Sequence, residues 1–177
     1  MRATLHTAHG ATHGATPATP ATRRRNLVVA VVIVAMFVLS VAEGPVASAD
    51  GDGYRQKLLR LLNQTRASHG LGLLKIDSSL SDDARVHTRR MIREDQIYDP
   101  YNLAAILSDY SWDDVGADVV GCAATIPRLH KAWMNHDAHR VILLNGNLRR
   151  VGIGVVRNDT RNHCGRGSIW ATEIFYG

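Results

Sequence analysis

His136 and His139 stand three residues apart, close enough to hold one metal ion only if the chain between them is helical. Zinc takes about four N, S or O donors, at least three of them from protein, so two imidazoles still need a partner. As a general base, His139 would titrate near neutral pH. Without an oriented partner, the simpler reading of His139 is an imidazole that hydrogen-bonds the backbone of its own turn. His87 shares an apolar stripe with Leu80, Ala84 and Met91, and His130 lies beside Leu129 and Trp133, so both read as satisfied core residues. Nucleophiles find no setting. There is no Gly-x-Ser-x-Gly elbow, and Ser78, Ser79 and Ser81 suit a helix start. Asp109, Asp113 and Asp114 lack the alternation and central Gly of a calcium loop. Asn158-Asp159-Thr160 is a sequon that matters where the producing cell glycosylates exported proteins.

Two cysteines occur, Cys122 and Cys164, with no C-x-x-C or clustered Cys/His zinc pattern. Their reading depends on the compartment. Arg23-Arg24-Arg25, the apolar run Leu27 to Ala42 and then Ala47-Ser48-Ala49 follow the order of a secretory signal. The Thr/Ala/Pro/His stretch from Ala8 to Thr22 is low complexity with nothing to bury. Residues 1–49 therefore read as a signal peptide with a long n-region, and 50–177 as one domain that is secreted or held in the cell envelope. The alternative is an uncleaved anchor, although the apolar run has 16 residues where a span needs roughly 20. Only through that uncleaved segment would the chain meet a membrane. Outside the cytoplasm an even cysteine count favours a Cys122–Cys164 disulfide. Closing a loop of about 43 residues stabilises a fold by roughly 4 kcal/mol.

Charge excludes one class of partner. The formal net charge is +5, but the first 49 residues hold four arginines and one glutamate, leaving 17 Lys/Arg against 15 Asp/Glu, or +2. These basic residues are interspersed with acids and form no stripe, so no nucleic-acid partner is expected.

The elements that must position these side chains follow from periodicity. Tyr54, Leu58, Leu61 and Leu62 mark a helix over 54–68 that stops at His69-Gly70. A second helix is expected from Ser79 to Glu94, with Asp82 and Asp83 in its first turn and Arg89, Arg90 and Arg93 near its end, as the helix dipole favours. Asp99-Pro100 breaks the chain before a short helix over 102–107. Thr125 and Pro127 open a third helix over 126–135. The period then shifts to two. Val151, Ile153 and Val155 alternate within 150–157, and 169–176 is aromatic and β-branched, so an antiparallel pair joined by the polar stretch 158–167 is expected. The fold class is α/β of the α+β kind, helices against a small antiparallel sheet.

Leu62-Asn63-Gln64-Thr65-Arg66, followed by Gly70-Leu71, resembles the opening helix of bacterial CAP superfamily domains. Trp133-Met134-Asn135-His136-Asp137-Ala138-His139-Arg140 runs without a gap into Leu143-Leu144, Leu148 and Val151-Gly152-Ile153-Gly154-Val155, which is similar to that family's longest signature. Trp170-Ala171-Thr172-Glu173-Ile174-Phe175 is similar to its last strand. The resemblance covers about residues 54 to 176 and implies a three-layer α–β–α sandwich with a cleft lined by His and Glu. Of the four cleft residues of typical members, His139 keeps the fourth. The Glu of a Gly-Glu-Asn stretch falls on Ala117 within Gly116-Ala117-Asp118. The first His falls on Tyr98 or Asp99. His136 stands where other members carry Glu or Ser. Asp118 neighbours the lost Glu, but adjacent side chains of a strand point to opposite faces.

These departures imply a degenerate cleft, no cofactor, and action by binding a lipid, an envelope component or a protein. Zinc, if held, would use His139 and His136. The competing readings are a hydrolase that uses His139 with His136 or Asp118, and a surface protein without a ligand.

Overall fold

The computed structural model describes residues 49–113 and 115–177. The expected signal peptide, apart from Ala49, lies outside the described residues, as does Asp114. The chain folds as α1 (Ala49–Ser68), β1 (Lys75–Ile76), α2 (Ser78–Glu94), α3 (Leu103–Leu107), β2 (Gly116–Ala123), α4 (Ile126–Asn135), α5 (Asp137–Leu143), β3 (Arg150–Asn158) and β4 (Ser168–Tyr176).

The sheet order is β1-β3-β4-β2. β3 and β4 pair antiparallel from Arg150↔Tyr176 to Asn158↔Ser168, as the alternating pattern predicts. β2 pairs antiparallel with the other side of β4, Gly116↔Tyr176 to Ala123↔Ile169. One departure is β1, two residues that run parallel to Arg150 and Val151 of β3, too short to leave a periodic signal.

The period of two on β4 divides the core into two halves. Ile169, Ala171 and Phe175 pack with Leu58 and Leu62 of α1, Leu129 and Trp133 of α4 and Leu143 of α5. On the opposite face Ile174 meets Leu80, Ala84 and Leu107, and Trp170 meets Met91 and Val120. Helices thus cover both faces, giving the α–β–α sandwich.

α2 starts at Ser78, one residue before the expected Ser79. Asp77 is the N-cap, accepting from Leu80 N at 3.0 Å, so Asp82 and Asp83 fall beyond the first turn and the favourable dipole contact belongs to the cap. Asp77 also accepts from the Tyr176 hydroxyl at 2.8 Å. The helix then lies with its backbone on β3. A Cβ at Gly154 would collide with the backbone of Ala84 and Arg85, and one at Gly152 with that of Leu80. The close approach lets Ser81 Oγ accept from Ile153 N at 3.0 Å and brings Thr88 Oγ1 within 3.0 Å of Gly154 O.

The Asn63 to Arg66 stretch has a structural use. Asn63 pairs with both backbone groups of Leu74, at 3.0 and 2.9 Å. The fully buried Arg66 guanidinium donates to Gly72 O and Leu143 O at 2.9 Å and to Asn145 O at 3.0 Å. A guanidinium has five donors and so satisfies several loop carbonyls that no strand or helix reaches. Burial holds its pKa below the usual arginine range, with Arg149 adding to the effect.

Cys122 and Cys164 form the disulfide, with Cα atoms 6.2 Å apart. Asp95, left-handed at φ 49° where it ends α2, accepts from His163 N at 3.1 Å and lies 2.8 Å from its Nδ1. The β3–β4 loop is thereby held at two points, to β2 and to the end of α2.

Candidate functional site

The stretch between His136 and His139 is helical. His136 caps α5 with extended backbone (φ −102°, ψ 116°) and His139 sits in the first turn. One turn of helix brings their ring centroids to 4.6 Å with the planes tilted by 43°. The hydrogen bond expected between His139 and its own turn is absent at Nδ1, which is buried without a partner. The reason is local: the expected irregular turn is helix α5, whose carbonyls are occupied by its own N–H groups, as in Arg140 N to His136 O at 2.9 Å.

Beside the two imidazoles lies a pocket of about 280 Å³. Ile97, Val120, Leu129, Ala132 and Trp133 form its apolar walls, and His136 and His139 are its only titratable lining groups. Trp133 is fixed there because its Nε1 donates to Val120 O at 2.8 Å. Gly121 leaves the room the indole needs, since a Cβ at that position would meet Trp133 Nε1 at 2.8 Å.

The resemblance left Tyr98 or Asp99 at the position of the first His. Tyr98 turns away: its hydroxyl donates to Glu94 Oε2 at 2.6 Å, and its ring stacks on Tyr101 with centroids 5.1 Å apart. Asp99 instead lies close enough to the carboxyl of Asp118 for its charge to act on it. Burial, then the charge of Asp99, push the Asp118 carboxyl up to about 7. The same Asp99 charge reaches His139 and favours its protonation, but burial and the neighbouring His136 outweigh it and hold the imidazole below its ordinary value. Asp99, Asp118, His136 and His139 are therefore electrostatically one group. Ala117 is not part of it. In register Ala117 stands opposite Phe175 and Asp118 opposite Ile174, so the two residues occupy opposite faces of β2, as the strand period requires.

The zinc donor set is incomplete. Among the described residues, the grouping of three donors close enough for one ion is Cys122, His163 and Cys164, and its two sulfurs are bonded to each other. Among the described residues, the imidazoles of His136 and His139 gather no third donor within that reach.

His87 and His130 have structural contacts. His87 Nε2 lies 2.8 Å from Tyr98 O, as expected of a satisfied core residue. His130 is only half satisfied: Nε2 is 2.8 Å from Thr65 Oγ1, while Nδ1 is buried without a partner, and burial lowers its pKa. Sequence reasoning missed Glu173. It lies fully buried opposite Val119 and Ile153, with both carboxyl oxygens unpartnered and a pKa pushed up to about 8 by burial. The signal was available, since Ile169, Ala171, Glu173 and Phe175 occupy alternate positions of one strand and must share a face.

The model of the CAP, or cysteine-rich secretory protein, family matches residues 59–175. The uncharacterized protein YkwD of Bacillus subtilis (strain 168) is 30% identical over 139 residues, which cover 74% of this chain and 50% of that protein. The chain thus spans about half the length of the curated relative it matches. Two solved structures share the fold. An extracellular protein containing an SCP domain from Bacillus anthracis has a TM-score of 0.58 at 21% identity, over 71% of this chain and 41% of that one. An outer surface protein of Borrelia burgdorferi has a TM-score of 0.56 at 16% identity, over 70% of this chain and 92% of that one. With the sandwich, the helix-to-strand signature and the family match in agreement, the chain belongs to the CAP family.

Proposed function

We propose that this protein is an exported CAP domain that acts by binding, and that its ligand is a lipid or envelope component with an apolar portion that enters the pocket beside His139. The observation that carries the reading is the lining: five apolar side chains, Ile97, Val120, Leu129, Ala132 and Trp133, with two imidazoles as the polar groups. Apolar pockets with a few placed polar groups suit small ligands. Burial favours the neutral form of His139, which leaves the pocket without a fixed charge on that ring.

The test is titration of the full chain with a fluorescent fatty acid, compared with Ala132→Phe, which fills the pocket from an exposed position. Saturable binding that weakens at least ~10-fold in the variant supports the reading, at about 1.4 kcal/mol per tenfold. No saturation, or unchanged affinity in Ala132→Phe, overturns it. Export itself is read from the N-terminus of the protein recovered outside the cell, expected at Asp50.

A hydrolase is the second reading, favoured by the Asp99–Asp118 carboxyl pair in electrostatic reach of His139. General acid–base help is worth about 10²–10⁴-fold when a partner is within hydrogen-bond reach, and the buried Nδ1 of His139 has none. Esterase and peptidase assays on wild type and His139→Gln, with calorimetric zinc titration, separate the two. We expect no activity dependent on His139 and zinc affinity weaker than micromolar.

A further inference from the structure

We infer a second binding site, for a phosphate-bearing anion, at the outer edge of β3. This edge is remote in the sheet order from β2, beside which the His139 pocket lies, and the two pockets share no lining residue. Four arginines from three elements converge on one cavity of about 200 Å³: Arg55 of α1, Arg85 and Arg89 of α2, and Arg157 of β3. Against them the lining has a single carboxylate, Asp159.

The fold assembles this cluster at close quarters. Arg85 and Arg89 are four apart and share a helix face. Gly154 lets the α2 backbone lie directly on β3, which carries both side chains to the strand that bears Arg157. β1 pairs only with Arg150 and Val151, so among the described residues no strand covers the outer edge of β3 beyond them. Arg55 reaches the same edge from α1.

Like charges at such proximity repel, and three of the four arginines meet an exposed carboxylate. Arg55 pairs with Asp52 at 3.0 Å, Arg85 with Asp82 at 2.8 Å and Arg157 with Asp159 at 2.7 Å. These are partly exposed pairs, a class that contributes little to stability, and they yield readily to a stronger acceptor. Arg89 is exposed and makes no ion pair or side-chain hydrogen bond among the described residues. A tetrahedral phosphate presents several acceptor oxygens at once and is met bidentately by guanidinium forks. The cavity has several times the roughly 30 Å³ that one water occupies in the liquid, room for a phosphate and the first carbons of its ester. Val155 and Val156 of β3 add apolar surface to the lining.

The shared chemistry is a phosphate ester, free in solution or on a lipid headgroup, and the experiment separates the sources. The full chain is titrated calorimetrically with glycerol 3-phosphate at low ionic strength. It is also sedimented with vesicles of phosphatidylcholine alone and of phosphatidylcholine with phosphatidylglycerol. The same measurements are made on Arg85→Gln/Arg89→Gln and on a charge-matched control, Arg128→Gln/Lys131→Gln, both exposed on α4. Binding that falls at least tenfold in the first variant and less than twofold in the control supports the site. If glycerol 3-phosphate carries that pattern the source is a soluble ester; if only phosphatidylglycerol vesicles do, it is a headgroup. Absence of binding to both probes, or equal losses in the two variants, overturns it.

Discussion

The carboxyl of Asp118 on β2 is buried within reach of the charge of Asp99 in the segment after α2, two acids that lie 19 positions apart in the chain. Burial and a like charge both disfavour the ionised form. Asp118 is the more buried of the two, and its pKa rises to about 7. Carbon-detected NMR of the aspartate carboxyls should show Asp118 titrating near neutrality. Asp99→Asn removes the like charge, so the Asp118 midpoint should fall toward the ordinary carboxylate range. A midpoint that stays put would mean that burial alone sets it.

Glu173 makes a pH prediction of defined sign. Its folded pKa, about 8, exceeds the ordinary 4.5, so the folded state binds more protons between those values. This group's contribution to stability is therefore fully present below about pH 4.5 and is lost as pH rises toward 8. The loss is on the order of a few kcal/mol for a fully buried carboxylate. Glu173→Gln cannot ionise. Denaturant melts should show the variant close to wild type near pH 4 and increasingly more stable as the pH approaches 8. Parallel curves for the two proteins would sink the assignment.

Gly154→Ala puts a methyl group into the backbone of Ala84 and Arg85. Neither neighbour is a flexible side chain that can swing aside, so α2 must lift from the sheet. Overpacking typically costs about 1–3 kcal/mol, and a helix backbone in the way places this substitution at the upper end or beyond. Urea midpoints measure it. Gly53→Ala, where a Cβ meets nothing within 4 Å, is the matched control and should be neutral or slightly stabilising.

Breaking the disulfide with Cys122→Ser/Cys164→Ser frees the β3–β4 loop at one of its two attachments. The expected loss is about 4 kcal/mol on the chain-entropy model, reduced to the extent that the Asp95–His163 contact keeps the loop in place. Thermal melts of the variant and of reduced wild type should agree. A shift of under 2 °C in both would show that Asp95 and His163 suffice.

What local sequence determined is extensive. Helical periodicity placed α1, α2 and α4 within a few residues, alternation placed β3 and β4, and an even cysteine count in a chain read as exported paired Cys122 with Cys164. These are properties of one segment at a time, because the side a residue buries depends on its own backbone period. Tertiary structure alone decided which charges meet. Nothing in the spacing of Asp99 and Asp118 says that the charge of one bears on the other, and nothing separates Tyr98 from Asp99 until Tyr98 is seen on Tyr101. The arginines read as dispersed among acids along the chain, yet Arg55, Arg85, Arg89 and Arg157 line one cavity. The physical reason is that the free energy of a charge depends on distance and solvent access in space, and both are set here by how closely a helix can lie on a strand. Gly154 settles that approach for α2, and with it the position of Arg85 and Arg89 against Arg157.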